Sequence, residues 1–281
     1  MPELPEVDAL VADLRPRIVG DFVERAMVAE LSILKTVDPP LDALAGLEIT
    51  GVMRRGKALV VEFDGLFLVC RFARAGWLVW HDEVPGGPVK MGKGPLGLRV
   101  RLASGAGFDL TEAGTKKNAS VALVRDLAEV PVLAQLGPDA LSLDAEGFAG
   151  ILRSTKAHIK TVFEDQTLIA GIGNAFSDEI LHAARLSPFA PAGRVDAATL
   201  HTAVHQVLGL ARESLIGLPA AKIKTAKKCL LRVHGRTGQP CPVCGATVAE
   251  VSFADKSLNY CPGCQTGGKR LSDRRMDRLL K

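Results

Sequence analysis

The apolar positions change their spacing along the chain from a helical period to the runs typical of strands. Apolar residues recur at three- and four-residue intervals at Val7, Leu10, Val11, Leu14 and Ile18, which predicts a helix ending near Gly20. Apolar, β-rich runs follow at residues 58–63 and 66–72, separated by Asp64-Gly65, the strongest short hairpin signal. Further strand-like pieces lie at 76–80, 98–102, 108–110 and 121–124. These elements predict a β-sandwich or barrel flanked by helices.

The second half of the chain has a different pattern. Residues 136–144 contain Gly137-Pro138-Asp139 and predict a hinge into a helical part. A long amphipathic helix is predicted from about Asp196, its N-cap, to Leu215. No apolar run approaches a membrane-spanning length, and the first residues lack the regions of a signal peptide. We therefore expect a cytoplasmic protein with no membrane partner.

Charge is distributed unevenly along the 281 residues. The net charge is +4, but residues 222–281 carry 13 Lys or Arg against 4 Asp or Glu, so this part is +9 and the remainder is −5. A basic run is often only a solvated face. Here it surrounds a predicted metal site, which favours a polyanion as the partner.

Four cysteines have the spacing of a structural zinc site. Cys241 and Cys244 form one C-x2-C pair, and Cys261 and Cys264 form a second pair after 16 intervening residues. Four thiolates would close a tetrahedral shell, so we expect one structural Zn²⁺ per chain with no open position for catalysis. The alternative, two disulfides, is disfavoured in a reducing cytoplasm.

A glycine-rich turn precedes a helical pattern in the second half of the chain. Gly171-Ile172-Gly173-Asn174 stands before the helical pattern of residues 176–184. Small residues at a helix N-terminus let backbone amides approach a phosphate. A tight connection between two packed helices explains the same residues equally well.

The chain begins Met-Pro-Glu-Leu-Pro-Glu-Val. Removal of Met1 would leave Pro2 as a free secondary amine beside the Glu3 carboxylic acid. A secondary amine that attacks an aldehyde-level carbon gives an iminium ion with no N–H to lose, and this cation promotes elimination. Glu3 is placed to move the protons. The alternative is a Pro-rich segment in which Pro5 only opens the first helix.

Together, these motifs resemble those of the formamidopyrimidine-DNA glycosylase and endonuclease VIII family, of which the chain looks like a divergent member. The motifs follow the family order along essentially the whole chain: Pro2-Glu3-Leu4-Pro5-Glu6-Val7, Arg54-Arg55-Gly56-Lys57, Asp165-Gln166 with Gly171-Ile172-Gly173-Asn174, Gly235-Arg236 and the four-cysteine finger.

The resemblance implies an α+β multidomain fold. Its expected parts are an N-terminal β-sandwich with flanking helices in residues 1–135, a helix-two-turn-helix domain in residues 136–232 and a zinc finger in residues 233–281. It also implies a monomer that binds damaged DNA, duplex or single-stranded, in the cleft between the two halves. In a bacterium the protein would associate with the nucleoid.

The resemblance also implies roles for matching residues. Pro2 resembles the nucleophile that attacks C1′ of a damaged nucleoside, and Glu3 resembles the acid that protonates the deoxyribose ring oxygen. Lys57 resembles the family lysine that grips a phosphate near the lesion, while Asn174 and Lys156 match further DNA-binding residues. The implied activity is that of a DNA glycosylase and AP lyase, which excises a damaged base through a proline Schiff base and cleaves the strand by β- or β,δ-elimination.

Three departures from the family pattern alter this expectation. Lys256 stands where the family finger has an arginine, so it keeps the charge but loses the bidentate fork. Arg74 stands where a void-filling methionine is expected, and the loop that ends in Lys116-Lys117 lacks the family Arg-Phe pair. Residues 222–228 do not resemble the loop that recognises 8-oxoguanine.

These departures favour substrates that are already unstacked. Without an apolar wedge, extrusion of a base from intact duplex should be poorer, while Arg74, Lys116 and Lys117 supply charge for phosphates or an orphan base. We expect abasic sites, oxidised pyrimidines or lesions in single strands to be preferred over 8-oxoguanine opposite cytosine. Two other interpretations remain: a non-catalytic protein of the same fold that binds lesions or abasic sites, and a general zinc-ribbon nucleic-acid module.

Overall fold

The computed structural model of the chain describes residues 1–85, 87, 89–92, 94–114, 116–253 and 256–272. Residues 273–281 of the predicted finger domain lie outside the described residues. The described helices are α1 (Leu4–Ile18), α2 (Pro131–Ala134), α3 (Ala145–Arg153), α4 (Ile159–Glu164), α5 (Asn174–Ala183), α6 (Ala197–Leu215), α7 (Ala220–Leu230) and α8 (Pro262–Gln265).

The described strands are β1 (Val23–Val28), β2 (Ile49–Arg55), β3 (Ala58–Phe63), β4 (Leu66–Arg71), β5 (Gly76–His81), β6 (Leu96–Leu102), β7 (Gly107–Glu112), β8 (Ser120–Val124), β9 (Ala249–Ser252) and β10 (Ser257–Tyr260). Two compact units contain these elements. The first unit comprises residues 1–136 and 212–226, and the second comprises residues 137–211 and 227–281.

The first unit is built on two antiparallel sheets, which confirms the predicted β-sandwich. Their strand orders are β1-β6-β7-β5 and β2-β3-β4-β8. The predicted hairpin joins β3 to β4, with Phe63 paired to Leu66. Its turn needs a residue with positive φ, which Gly65 supplies at 70°.

The sheet that contains β3 is covered on both faces. On one face Val60, Val69 and Val124 pack against Val130 and its neighbours, which include α2. On the other face, Leu59 and Val61 have no exposed surface. Because successive strand residues point to opposite faces, a strand covered on both sides is a continuous apolar run, as the sequence of β3 shows.

The core of the second unit is helix α5. All of its residues from Ala175 to His182 are buried, including four polar or charged residues. Helices α3, α4 and most of α6 belong to the same unit, as does the β9–β10 hairpin. The predicted N-cap of α6 is confirmed, since Asp196 Oδ1 accepts from Ala198 N at 3.2 Å. The α+β fold with a sheet domain, a helical domain and a C-terminal finger is therefore the one that the sequence predicts.

Some elements differ from the sequence prediction. Helix α1 begins at Leu4, three residues before the apolar repeat, with Pro5 in its first turn. Strands β1 and β2 were not predicted, because few of their side chains are buried and the periodicity is weak. Residues 222–228 form part of helix α7, which buries Ala220 and Ile223.

Among the described residues, no helix combines the length and apolar character needed to cross a membrane.

Candidate active site and zinc centre

The predicted nucleophile and acid stand at the start of α1. Pro2 is buried, and Glu3 is only 2% exposed. Glu3 N donates to Glu6 Oε2 at 3.3 Å, as part of a capping box. Helix α1 is fixed in the first unit by fully buried Leu4, Val7, Leu10, Leu14 and Ile18. The packed helix therefore holds the chain terminus in one place.

An ionic cluster supports the turn that carries Lys57. Asp8 of α1 accepts from Arg54 Nε at 2.7 Å and from Arg212 Nε at 2.8 Å. Arg54 also donates to the carbonyl of Gly56 at 3.0 Å. Because Gly56 adopts a φ of 55°, the β2–β3 turn depends on a residue without a Cβ. The half-buried Lys57 is thus attached to a turn that α1 helps to fix.

The three basic residues that were predicted to supply charge for phosphates or an orphan base have different surroundings. Arg74 is exposed in the turn after β4, where Ala73 has a φ of 50°. Lys116 is exposed in the loop before β8. Lys117 Nζ instead donates to the carbonyls of Glu112, Gly114 and Gly94, which uses the three donors of an ammonium group. Contacts of all three with DNA stay predictions, but Lys117 also has a clear role in bracing its loop.

The glycine-rich turn before α5 is held by the side chain of Gln166. Gln166 Oε1 accepts from Gly171 N at 3.0 Å, and its Nε2 donates to Ile172 O at 2.8 Å. Gly171 has a φ of 105°, so the turn requires glycine there. The Asp165-Gln166 and Gly-x-Gly-Asn motifs are therefore parts of one structure, which sets the position of Asn174 at the start of α5.

Two of the predicted DNA-binding residues border one cavity of about 190 Å³ in the second unit. Asn174 Nδ2 donates to Ser257 O at 2.8 Å, while its Oδ1 is buried and has no hydrogen-bond partner in the described part of the chain. Lys256 forms an ion pair with Glu164. Phe189 and Phe253 contribute aromatic walls to the same cavity.

Glu164 was not singled out from the sequence, because it is 92 residues from its partner Lys256. Its other oxygen lies 3.2 Å from Lys160 Nζ. The hydrogen bonds of that buried ammonium group include those it donates to Ser177 Oγ and Asp178 Oδ1, each at 2.7 Å. Lys156, in contrast, is exposed in the loop between α3 and α4 and does not line the cavity.

Two adjacent carboxylates of α5 hold the segment that leads into the finger. Glu179 accepts from the backbone N–H groups of Arg232, Val233 and His234 at 2.8, 3.0 and 2.8 Å. Burial raises the pKa of Glu179, and the three backbone donors oppose that rise. Asp178, only 1% exposed, accepts from His234 Nδ1 at 2.7 Å and from Asn259 N at 3.0 Å.

The four predicted zinc ligands come together in the finger. The sulfurs of Cys241 and Cys264 are 3.9 Å apart, and those of Cys244 and Cys261 are 3.4 Å apart. Four sulfurs about 2.3 Å from a zinc ion would be about 3.8 Å from one another. None of the four forms a disulfide. The donor set therefore fits one structural zinc, as predicted.

The surroundings of the four cysteines are unequal. Cys241 and Cys261 are buried, whereas Cys244 is exposed. The backbone amide of Ala246 makes the largest contribution in lowering the pKa of Cys244 to about 7. His182 of α5 approaches from the protein interior, with Nε2 at 3.3 Å from Cys241 Sγ. Burial makes the largest contribution in lowering the pKa of His182.

The sequence matches three described domains in order. Residues 1–118 match the formamidopyrimidine-DNA glycosylase N-terminal domain, and residues 136–223 match the formamidopyrimidine-DNA glycosylase H2TH domain. Residues 238–267 match the zinc finger found in FPG and IleRS. The three matches cover most of the chain.

Two relatives illustrate the similarity. A formamidopyrimidine-DNA glycosylase of Moorella thermoacetica is 33% identical over 268 residues, which cover 89% of this chain and 94% of the relative. An uncharacterized formamidopyrimidine-DNA glycosylase-like protein of Mycobacterium tuberculosis is 57% identical over 158 residues, which cover 55% of this chain and all of the relative. The second relative fits the expectation of a divergent member.

Solved structures agree with these sequence matches. Lactococcus lactis Fpg in complex with DNA containing an oxidized pyrimidine has a TM-score of 0.81 and 25% identity, with 94% of this chain and all of that chain covered. The same enzyme bound non-covalently to DNA containing an AP site has a TM-score of 0.80 and 25% identity, with coverages of 94% and 99%. This chain belongs to the formamidopyrimidine-DNA glycosylase family of DNA-binding repair proteins, with one structural zinc in its finger.

Proposed function

We propose that this protein is an active DNA glycosylase and AP lyase whose nucleophile is Pro2, freed by removal of Met1. The observation that carries the proposal is the contrast at the N-terminus. Pro2 and Glu3 are buried at the start of a packed helix, whereas Met1 is 52% exposed. Reacting groups that a rigid element already holds in place need little reorganisation to reach the transition state.

The proposed reaction begins with attack of the Pro2 nitrogen on C1′ of the damaged nucleoside. The N-glycosidic bond breaks, and the departing base takes up the proton that the amine loses. Glu3 protonates the deoxyribose ring oxygen, so the ring opens to an iminium ion joined to Pro2. Loss of a C2′ proton then expels the 3′ phosphate, and water hydrolyses the iminium ion to release Pro2. A second, δ-elimination would expel the 5′ phosphate if the iminium ion, still joined to Pro2, lost its C4′ proton before hydrolysis.

The substrate class follows from the loops that would contact the lesion. We propose that abasic sites, oxidised pyrimidines and lesions in single strands are better substrates than duplex 8-oxoguanine paired with cytosine. The exposed cations Arg74 and Lys116 replace the apolar wedge that would help to unstack a paired base. A comparison of single-turnover rates on these substrates tests the order, and a clear preference for 8-oxoguanine opposite cytosine would contradict it.

Binding of the DNA backbone is proposed to involve Asn174, Lys156 and Lys256. In the structure the Lys256 ammonium is paired with the Glu164 carboxylate, so this carboxylate competes with a phosphate for the same positive charge. Lys160 does not need Glu164, because it keeps its bonds to Ser177 and Asp178. Glu164 therefore acts as an internal competitor of DNA.

Replacing Glu164 with glutamine is expected to tighten DNA binding by about tenfold at low salt, because Lys256 becomes available to a phosphate. One additional phosphate contact should steepen the slope of log K against log salt by about 0.9 for duplex DNA. Fluorescence anisotropy with an abasic-site analogue at several salt concentrations measures both quantities.

Two further variants make this test specific. Glu146→Gln removes the same charge from an exposed position on α3 and should change affinity much less. The double variant Glu164→Gln/Lys256→Met should lose the gain in affinity and in slope. An equal gain in Glu146→Gln would mean that only net charge matters, and would contradict the competitor role.

Borohydride trapping of the wild-type protein on an oligonucleotide with one abasic site tests the proposed function. Reduction of the iminium ion should give a covalent protein–DNA band, and the same oligonucleotide without the abasic site should give none. Absence of the band, with binding to abasic-site DNA intact, would overturn the proposal and favour a non-catalytic protein that binds lesions or abasic sites.

A further inference from the structure

His182 is the imidazole that reaches the zinc centre from outside the finger. It lies on α5, is 3% exposed, and is 59 residues away from its neighbour Cys241 in sequence. Its Nε2 is 3.3 Å from Cys241 Sγ. One nitrogen of its ring lies within 4.8 Å of the sulfurs of Cys241, Cys261 and Cys264. The side chain therefore contacts the metal-binding cluster directly.

The hydrogen-bond partners of the ring define the position of its proton. Nδ1 is buried and has no hydrogen-bond partner among the residues that the structure describes. A proton on Nδ1 alone would leave a buried donor unpaired, which is unfavourable. A proton on Nε2 is instead donated to Cys241 Sγ. A zinc-ligating imidazole almost always donates its second N–H to a partner, so the unpartnered Nδ1 also disfavours His182 as a zinc ligand.

We propose that His182 is an outer-sphere residue of the zinc centre, whose Nε2–H donates to the Cys241 thiolate and thereby slows loss of the metal. A zinc ion with four thiolates carries two net negative charges, which N–H donors compensate. Backbone donors are present as well, among them Val243 N to Cys241 Sγ at 3.5 Å and Cys264 N to Cys261 Sγ at 3.4 Å. His182 adds a donor from α5, the helix that begins with Asn174.

The consequence of this contact is a link between metal retention and the helical domain. Asn174 and His182 lie on the same buried helix, which also holds the approach to the finger through Glu179. Helix α5 therefore contacts the finger region at two places: His182 reaches the metal-binding cysteines, and Glu179 binds the backbone that leads into the finger.

The test compares zinc release from purified full-length His182→Phe and His182→Gln with that from the wild type. Phenylalanine fills the site without a donor, and glutamine offers an amide N–H near the position of Nε2. Outer-sphere substitutions typically reduce metal affinity 10- to 100-fold. Accordingly, we expect His182→Phe to release zinc to a chromogenic chelator at least about tenfold faster, with His182→Gln closer to the wild type.

A control and a spectroscopic measurement separate this role from simple packing. His201→Phe makes the same replacement on α6, where His201 Nε2 lies 2.9 Å from the carbonyl oxygen of Leu143. This control should leave zinc release unchanged. Cobalt can replace zinc as a spectroscopic probe. In cobalt-substituted His182→Phe, the thiolate-to-cobalt charge-transfer bands should shift relative to those of the wild type, while the spectrum remains that of four sulfur ligands. Three results would each overturn the proposal. His182→Phe could release zinc at the wild-type rate, or His182→Gln could release it as fast as His182→Phe. The third is a wild-type cobalt spectrum typical of three sulfur ligands and one nitrogen ligand.

Discussion

Replacement of Pro2 with glycine is expected to reduce the borohydride-trapped adduct by several orders of magnitude, while binding to abasic-site DNA is retained. Glycine leaves a primary amine, whose imine can lose its N–H proton and become neutral, so the cationic electron sink is lost. It also removes the ring that fixes the backbone before α1. Removal of a covalent nucleophile usually eliminates almost all of the catalysed rate.

The companion variant Glu3→Gln should slow base excision by about 10²- to 10⁴-fold, the usual contribution of a positioned acid or base. The backbone N–H of residue 3 still donates to Glu6, so the start of α1 should remain folded. Single-turnover excision, trapping yield and affinity for an uncleavable abasic analogue are measured for both variants.

Glu24→Gln provides the control for these variants, because Glu24 is an exposed residue of β1 that forms a surface ion pair with Arg101. Such a pair contributes little, so activity should not change. Full trapping by Pro2→Gly would contradict the need for the secondary amine of Pro2, because the Schiff base would then form on the glycine amine or on another amine. Loss of both trapping and DNA affinity would point to misfolding rather than chemistry, and thermal melting of the same samples distinguishes that case.

Local sequence patterns predict those elements that are determined by residues close together in the chain. The hairpin at Asp64-Gly65 and the helix capped by Asp196 were both predicted, because a turn dipeptide and a cap act on neighbouring residues. Strand β2 was missed, since only Ile49 and Val52 of its seven residues are buried. Helix α7 was missed because its lysines outnumber its apolar anchors, Ala220 and Ile223.

The same distinction between local and distant residues applies to the candidate sites. The four cysteines could be found from spacing alone, because a metal site uses closely spaced pairs. Glu164, Glu179 and His182 could not, since their partners are 92, 54 and 59 residues away. No periodicity or motif joins residues so far apart, so only folding reveals that Lys256 already has a carboxylate partner.

Replacement of Glu179 with alanine is expected to lower the free energy of unfolding by about 3–5 kcal/mol. The carboxylate is 5% exposed, and it is the acceptor for the three consecutive backbone N–H groups of residues 232–234. An unpaired buried donor costs about 1–3 kcal/mol, and relaxation of the segment recovers part of the total. Denaturant unfolding of the zinc-loaded protein measures the loss. Hydrogen exchange should increase most at residues 232–234.

Glu213→Ala, at an exposed position of α6, is the matched control and should change stability by less than about 0.5 kcal/mol. Glu179→Gln keeps one acceptor oxygen and should lose less stability than Glu179→Ala. Equal stability of Glu179→Ala and Glu213→Ala would show that the three amides find water or other acceptors, and would contradict the proposed role of Glu179.

The pH dependence of this loss has a definite sign. Burial raises the pKa of Glu179 above its ordinary value of 4.5, so the folded protein binds this proton more tightly than the unfolded chain does. Protonation of Glu179 therefore stabilises the folded state. This contribution is complete below the pKa that Glu179 has in the unfolded chain, and it is lost as the pH rises through the pKa that it has in the folded protein. The stability difference between the wild type and Glu179→Ala should therefore grow as the pH is lowered from neutral toward 4.5. A difference that shrinks over this range would mean that the three backbone donors outweigh the cost of burying the charge.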